Sequence, residues 1–203
     1  LTLLRYQLNP HFLFNTLNSI YALIDKGDAN QASAMLLNLS HFLRYSLDHG
    51  ADRSVELSEE VDAANLYLSI EQTRFVDRLT VVFKIAEESS RALVPSFLLQ
   101  PLIENAIKHA IALNEHGGTI MVTSDVDDAI LRVRIEDSGS GQQSPDALAQ
   151  VSGAGLGLQN VRERIATLYG ERGHLETGQS ALGGFCVDLA FPLETRLGGV
   201  NHD

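Results

Sequence analysis

Tryptophan is absent from this chain of 203 residues, cysteine occurs once and proline five times. A lone thiol, Cys186, excludes an intrachain disulfide and a cysteine-built metal cluster, and it fits a reducing compartment. So few prolines, with no low-complexity run, exclude long disordered linkers. Cations are scarce too: 15 Lys and Arg stand against 26 Asp and Glu, a formal charge of -11. That balance speaks against a nucleic-acid or anionic-membrane surface, because both rely on clustered Lys and Arg. No apolar run approaches the roughly 20 residues that span a bilayer, and no signal peptide is legible. What is present is a core, since 44% of the residues are hydrophobic. The length suits one ordinary domain, or a small domain beside a helical element. The chain opens on Leu1 already in a helical pattern, so the expectation is a piece of a longer protein, with any membrane segment upstream.

Three helical patterns come first. One covers residues 1–25 and is interrupted by Pro10; the second runs from about 28 to 48 on Ala32, Met35, Leu36, Leu39, Phe42, Leu43 and Leu47. Between them "DKGDAN" offers a glycine and a capping Asp28, the turn of an antiparallel helix pair. A third helix is expected from Ser58, with acids in its first turn, to about Phe75. From Leu79 the texture changes. "LTVVFKI", "TIMVTSDV", "AILRVRIED" and "GGFCVDLAF" read as strands, with helices at about 95–112 and 156–169 among them. The expected fold class is α+β: a helical hairpin, residues 1–54, followed at 55–203 by a mixed or antiparallel sheet with helices on one face.

Three constellations in the second half carry chemistry. In "LLQPLIENAIKHA", residues 98–110, a helical wheel buries Leu99, Ile103, Ala106 and Ala110. It sets Glu104, Asn105 and Lys108 on the opposite face, with His109 at the margin. An Asn oxygen suits Mg²⁺ and a Lys suits phosphate, although a solvated helix face has the same composition. In "EDSGSG", Asp137 ends a strand and Gly139 and Gly141 follow, so an adenine amino group has both a carboxylate acceptor and a close backbone. A plain strand-to-turn junction reads alike. In "GAGLGLQNVRERI", Gly153, Gly155 and Gly157, with Leu156 between the last two, run into a helix start whose free N–H groups cradle phosphate. The spacing matches neither the dinucleotide fingerprint nor a P-loop.

The order and spacing of the three are more specific than any one. Over roughly residues 75–192 the chain resembles the ATP-binding domain shared by histidine kinases, gyrase-type topoisomerases, Hsp90 chaperones and MutL proteins. That resemblance implies a Bergerat-type (GHKL) α/β sandwich, Asn105 as the Mg²⁺ ligand, Asp137 as the adenine contact, and the loop 142–155 as a lid over ATP. ATPase members of this superfamily usually carry a Glu one turn before the magnesium Asn. Here that position is Pro101, which has no base to activate water, so a different nucleophile is implied.

The candidate is in "RYQLNPHFLFNTLNSI", residues 5–20. Leu1, Leu4 and Leu8 set one apolar rhythm, and Leu13, Leu17, Ile20 and Ile24 restart it almost on the other side of the cylinder. Pro10 sits at the phase change, where a kink is expected. His11, Asn15 and Asn18 then share the face opposite the second seam. "QLNPHFLFNTLN", with "LLQPLIENAIKHA" and "VELSEEVDAANLYLSIEQTRFVDRL", resembles the LytS/YehU-type sensor histidine kinases of bacterial two-component systems across nearly the whole chain. The resemblance implies a dimerising hairpin bearing the phospho-acceptor His11, a catalytic domain that uses ATP and Mg²⁺ with help from Lys108, and transfer to the receiver domain of a response regulator. It implies, too, the cytoplasmic part of a bacterial sensor that an upstream segment holds in the inner or plasma membrane. In kin kinases the position of Asn15 orients a water for dephosphorylating the partner. Three departures stand out: Phe12 where many histidine kinases have an acid, Ser138 where Asn is common, and Phe185 beside Gly183 and Gly184 where Thr is common. A nucleotide-binding dimeric scaffold and an anti-sigma-type serine kinase are the rival readings at this point.

Overall fold

The protein is described by a computed structural model that covers residues 10–49, 53–76, 78–108, 116–139 and 154–196. Helix α1 (Pro10–Asp25) begins on a proline, a residue whose missing N–H costs nothing in a first turn. The expected kink ahead of it, and Leu1, Leu4 and Leu8, lie outside the described residues. Gly27 stops α1 in the left-handed region (φ +81°), with its N–H on the Ile24 carbonyl at 3.0 Å and the Asp28 N–H on that of Leu23 at 2.9 Å. The Asp28 side chain then accepts the Gln31 N–H at 3.1 Å and starts α2 (Ala29–Asp48), as expected of a capping Asp.

The hairpin does not keep its core to itself. After β1 (Ser54–Glu56) comes α3 (Leu57–Phe75), which packs on α2 and α1. Phe12, Phe42 and Tyr67, one from each helix, form a buried aromatic cluster with ring centroids 4.7–5.7 Å apart. α3 starts one residue before the expected Ser58, because the Glu59 side chain reaches back to the Glu56 N–H at 3.3 Å. Leu17, Ile24, Leu36 and Leu47, on the apolar rhythms of the two helices, are 50–62% exposed, whereas Ile20, of the same rhythm as Leu17, is buried. The buried faces carry Phe12, Thr16 and Ile20 on α1, and Ala32, Met35, Leu39, Phe42 and Ser46 on α2. α1 and α2 are each apolar on more than one side.

The remaining elements are β2 (Leu79–Ile85), α4 (Glu87–Ser90), β3 (Leu93–Pro95), α5 (Gln100–Ala106), β4 (Gly118–Asp127), β5 (Ile130–Asp137), α6 (Ala154–Tyr169), β6 (His174–Gln179) and β7 (Phe185–Pro192). The main sheet has the order β2-β4-β5-β7-β6; β2 and β4 are parallel and every other pair is antiparallel. β1 and β3 make a separate antiparallel pair. Along β4, β5 and β7 every second side chain is buried (Ile120 and Val122; Leu131, Val133 and Ile135; Val187, Leu189 and Phe191). Arg132 and Arg134 of β5 turn to solvent, the period-2 pattern of a sheet covered on one face. α3, α5 and α6 pack on that sheet, and the Tyr169 ring stacks on Phe191 at 4.7 Å. The helix expected at 95–112 is shorter at its start: Leu93–Pro95 is strand, and Phe97 turns the chain at φ +58° before α5.

Candidate functional site

Asn105 sits near the end of α5, among the buried Leu102, Ile103 and Ala106. It is itself only 8% exposed, which corrects its placement on a solvated face. The wheel counted α5 alone, and α5 packs against both β5 and α6. Glu104 is half-buried, accepting the Gln100 amide at 2.9 Å, and Lys108 is exposed. Beyond Ala106 the helix widens into a π-type turn over Ile107 and Lys108, a distortion frequent at functional sites. The Asn105 Oδ1 is shielded from solvent and has no hydrogen-bond partner among the described residues. Such an orphan costs about 1–3 kcal/mol, so the site holds an unused hard oxygen donor of the type that magnesium takes.

Asp137 closes β5 and is buried. Its Oδ1 accepts the Gly139 N–H at 2.8 Å and the Phe185 N–H at 3.2 Å, and its carbonyl accepts the Gly184 N–H at 3.2 Å. A Cβ on Gly184 would overlap the Asp137 carboxylate, the Asp137 carbonyl and the Gly139 nitrogen. Of the two departures near this turn, Ser138 is put to use. Ser138 locks onto β4, its Oγ accepting the Thr119 N–H at 2.7 Å while its own N–H donates to the Thr119 carbonyl at 3.0 Å. Phe185 contributes through its backbone N–H, whatever its side chain. Burial pushes the neighbouring Cys186 thiol up to about 11, so it is a poor nucleophile.

The third constellation opens α6. Gly155, Leu156 and Gly157 lie in its first turn, where backbone N–H groups have no intrahelical acceptor. Gly157 faces Pro101, and a Cβ there would stand 3.5 Å from the proline Cβ. The glycine-led helix start and the Asn105 helix are thus in direct contact. His109, Ala110, Gly141, Gly153 and the expected lid up to residue 153 lie outside the described residues.

His11 is exposed on the first turn of α1, while its neighbour Phe12 is buried against Phe42 and Tyr67. Phe12, at the position where an acid was the common alternative, anchors the helix and leaves the imidazole outside. Asn15, one turn on, places its amide nitrogen 3.1 Å from both ring nitrogens of His11.

Sequence reasoning missed Glu60. It is buried on α3, and its carboxylate accepts hydrogen bonds from the Tyr45 hydroxyl and from the N–H groups of Phe97 and Leu99. Burial pushes this carboxyl up from its ordinary value, and the three donors pull it back. The three acids Glu56, Glu59 and Glu60 read in sequence as one charged helix start; nothing local separates the buried one.

Residues 1–79 match the family model described as histidine kinase, and residues 95–195 the one described as histidine kinase-, DNA gyrase B- and HSP90-like ATPase. Sensor protein LytS of Staphylococcus haemolyticus is 35% identical over 187 residues, covering 89% of this chain and 32% of that protein. The chain spans about a third of the length of the curated relatives it matches. The catalytic domain of histidine kinase ThkA shares the fold at a TM-score of 0.54 and 20% identity, over 69% of this chain and 94% of that one. The histidine kinase domain of the blue-light activated kinase EL346 of Erythrobacter litoralis does so at 0.52 and 15%, over 91% and 96%. The chain belongs to the sensor histidine kinases, with a histidine-kinase segment followed by an ATPase-type, ATP-binding domain.

Proposed function

We propose that this chain is the kinase core of a two-component sensor, moving the γ-phosphoryl group of ATP to His11 and on to an aspartate of a response regulator. In the first step an unprotonated imidazole nitrogen of His11 attacks the γ-phosphorus. The N–P bond forms, the bond to the bridging β,γ-oxygen breaks, and ADP leaves. In the second, a carboxylate oxygen of the receiver attacks phosphorus and the N–P bond breaks, returning neutral His11. Asp137, held from below by Gly139 and Phe185, accepts the adenine amino group. The first turn of α6, with Gly155, Leu156 and Gly157, faces the phosphates, and Lys108 offsets their charge. Asn105 would hold Mg²⁺, which when bound neutralises charge on the phosphate oxygens. Asn15 keeps His11 oriented, and it orients a water in the reverse, phosphatase direction.

The proposal extends to the whole protein: a homodimer through the hairpin, divided into a phosphotransfer part at 1–54 and a catalytic part at 55–203. An upstream segment holds it at the cytoplasmic face of a bacterial membrane. The observation that carries the reading is the orphaned Oδ1 of Asn105 on a helix in contact with the glycine-led helix start. Calorimetric titration of ATP with and without Mg²⁺ tests it. The wild-type chain gains affinity from the metal, and Asn105→Ala loses that gain; an equal gain in the variant would put the metal elsewhere.

A further inference from the structure

The turn that leads into α5 is held from several directions. The Ser96 N–H donates to the Arg53 carbonyl at 2.9 Å, and the Ser96 carbonyl accepts the guanidinium of Arg164, from α6. Phe97 takes a left-handed conformation that a bulky side chain rarely adopts. Its N–H donates to one oxygen of Glu60 at 2.6 Å, and the Leu99 N–H to the other at 3.0 Å. The Glu60 carboxylate, on a residue 2% exposed, also accepts a third donor, the Tyr45 hydroxyl, at 2.5 Å. Tyr45 belongs to α2, the hairpin helix packed on the one that carries His11. Its ring lies edge-on to Phe97 at 5.8 Å and over His49 at 4.4 Å. The hydroxyl shares Oε1 of Glu60 with the Phe97 N–H, so it bears on the turn only through that carboxylate. It ties the hairpin to the start of the Asn105 helix through one carboxylate.

We infer that Tyr45 and Glu60 are positioning residues for phosphoryl transfer, setting the hairpin that carries His11 against the helix that carries Asn105. The inference rests on the proposed transfer to His11. Neither residue touches ATP or the reacting atoms; they act by fixing two elements whose relative placement decides whether nucleophile and phosphate meet. Glu60 bonds the turn directly and Tyr45 reaches it only through Glu60, so the two separate by variant.

Tyr45→Phe keeps both ring contacts and removes one hydroxyl. In the full chain we expect the rate of His11 phosphorylation at saturating ATP to fall at least tenfold. The ATP concentration for half-maximal rate and the affinity for ADP should stay within twofold. Hydrogen exchange at the Phe97 and Leu99 amides of the nucleotide-free chain should quicken several-fold. Glu60→Gln turns an amide N–H toward donors, and should impair ADP binding as well as rate. A Tyr45→Phe chain that labels at the wild-type rate overturns the inference, as does one whose ADP affinity falls in step with the rate, which marks general damage. A wild-type chain that forms no phosphohistidine fails the transfer reading instead. Unchanged exchange in Tyr45→Phe fails the positioning inference whichever way that result falls.

Discussion

Gly184 and Asp137 meet so closely that neither side has room to give. The atoms facing Gly184 are a carboxylate held by two N–H donors, a carbonyl and a backbone nitrogen, none of them at the end of a flexible chain. Gly184→Ala should therefore displace the Asp137 turn and weaken adenine-nucleotide binding at least tenfold, about 1.4 kcal/mol, as calorimetry would read. Unchanged affinity would show that the turn lies outside the nucleotide site. The place of Asp137 at a strand end was legible in the sequence, because an acid there followed by glycines is a local pattern. For Asn105 the residue was legible and its surroundings were not. A helical wheel counts the neighbours of one helix, and both β5 and α6 close over α5. Glu60 was out of reach altogether, since its backbone partner Phe97 stands 37 positions further on.

At the scale of the element, α3 is unusual in burying two acids, Glu60 and Glu71. Burial pushes the Glu71 carboxyl above its ordinary value, against the pull of the paired Arg74, with Glu104 adding to the rise. For an acid raised in the folded state, the folded chain binds the proton more tightly than the unfolded one. Glu71 thus costs stability as pH rises from about 4.5 through its folded value, and above that the cost is constant. Glu71→Gln, which mimics the protonated group, should melt higher than wild type at pH 7, and the gap should close as pH falls toward 4.5. A gap that widens on acidification would mean that the Arg74 pair outweighs burial. The long helices and the strands β2, β4, β5 and β7 were legible from apolar period. β6 was not: it is an edge strand, nearly all exposed, and "HLETGQ" has no alternation to read. β1 and β3 are three residues each, too short to show a period.

The whole molecule leaves an apolar surface uncovered. Phe14, Leu17, Tyr21, Ile24, Leu36, Leu37 and Leu47 of the hairpin are all at least half exposed, more than a lone helical pair leaves to water. A second hairpin would bury them in a four-helix bundle. The wild type should be dimeric at tens of micromolar, and replacing Leu17 and Ile24 by Asp should leave the internal core intact and give monomers by light scattering. A wild-type monomer at that concentration would contradict the bundle. The apolar rhythm of these helices was legible; which side is buried and which exposed was not, because both sides are apolar. The measurement that bears most directly on the whole account uses ATP labelled at its γ-phosphate, incubated with Mg²⁺ and either the wild-type chain or His11→Gln. The wild type should gain a label lost in acid and kept in base, as an N–P bond requires, and His11→Gln should bind ATP as well yet gain none. Acid-labile label on His11→Gln, or a wild-type label that survives acid, would contradict His11 as the acceptor.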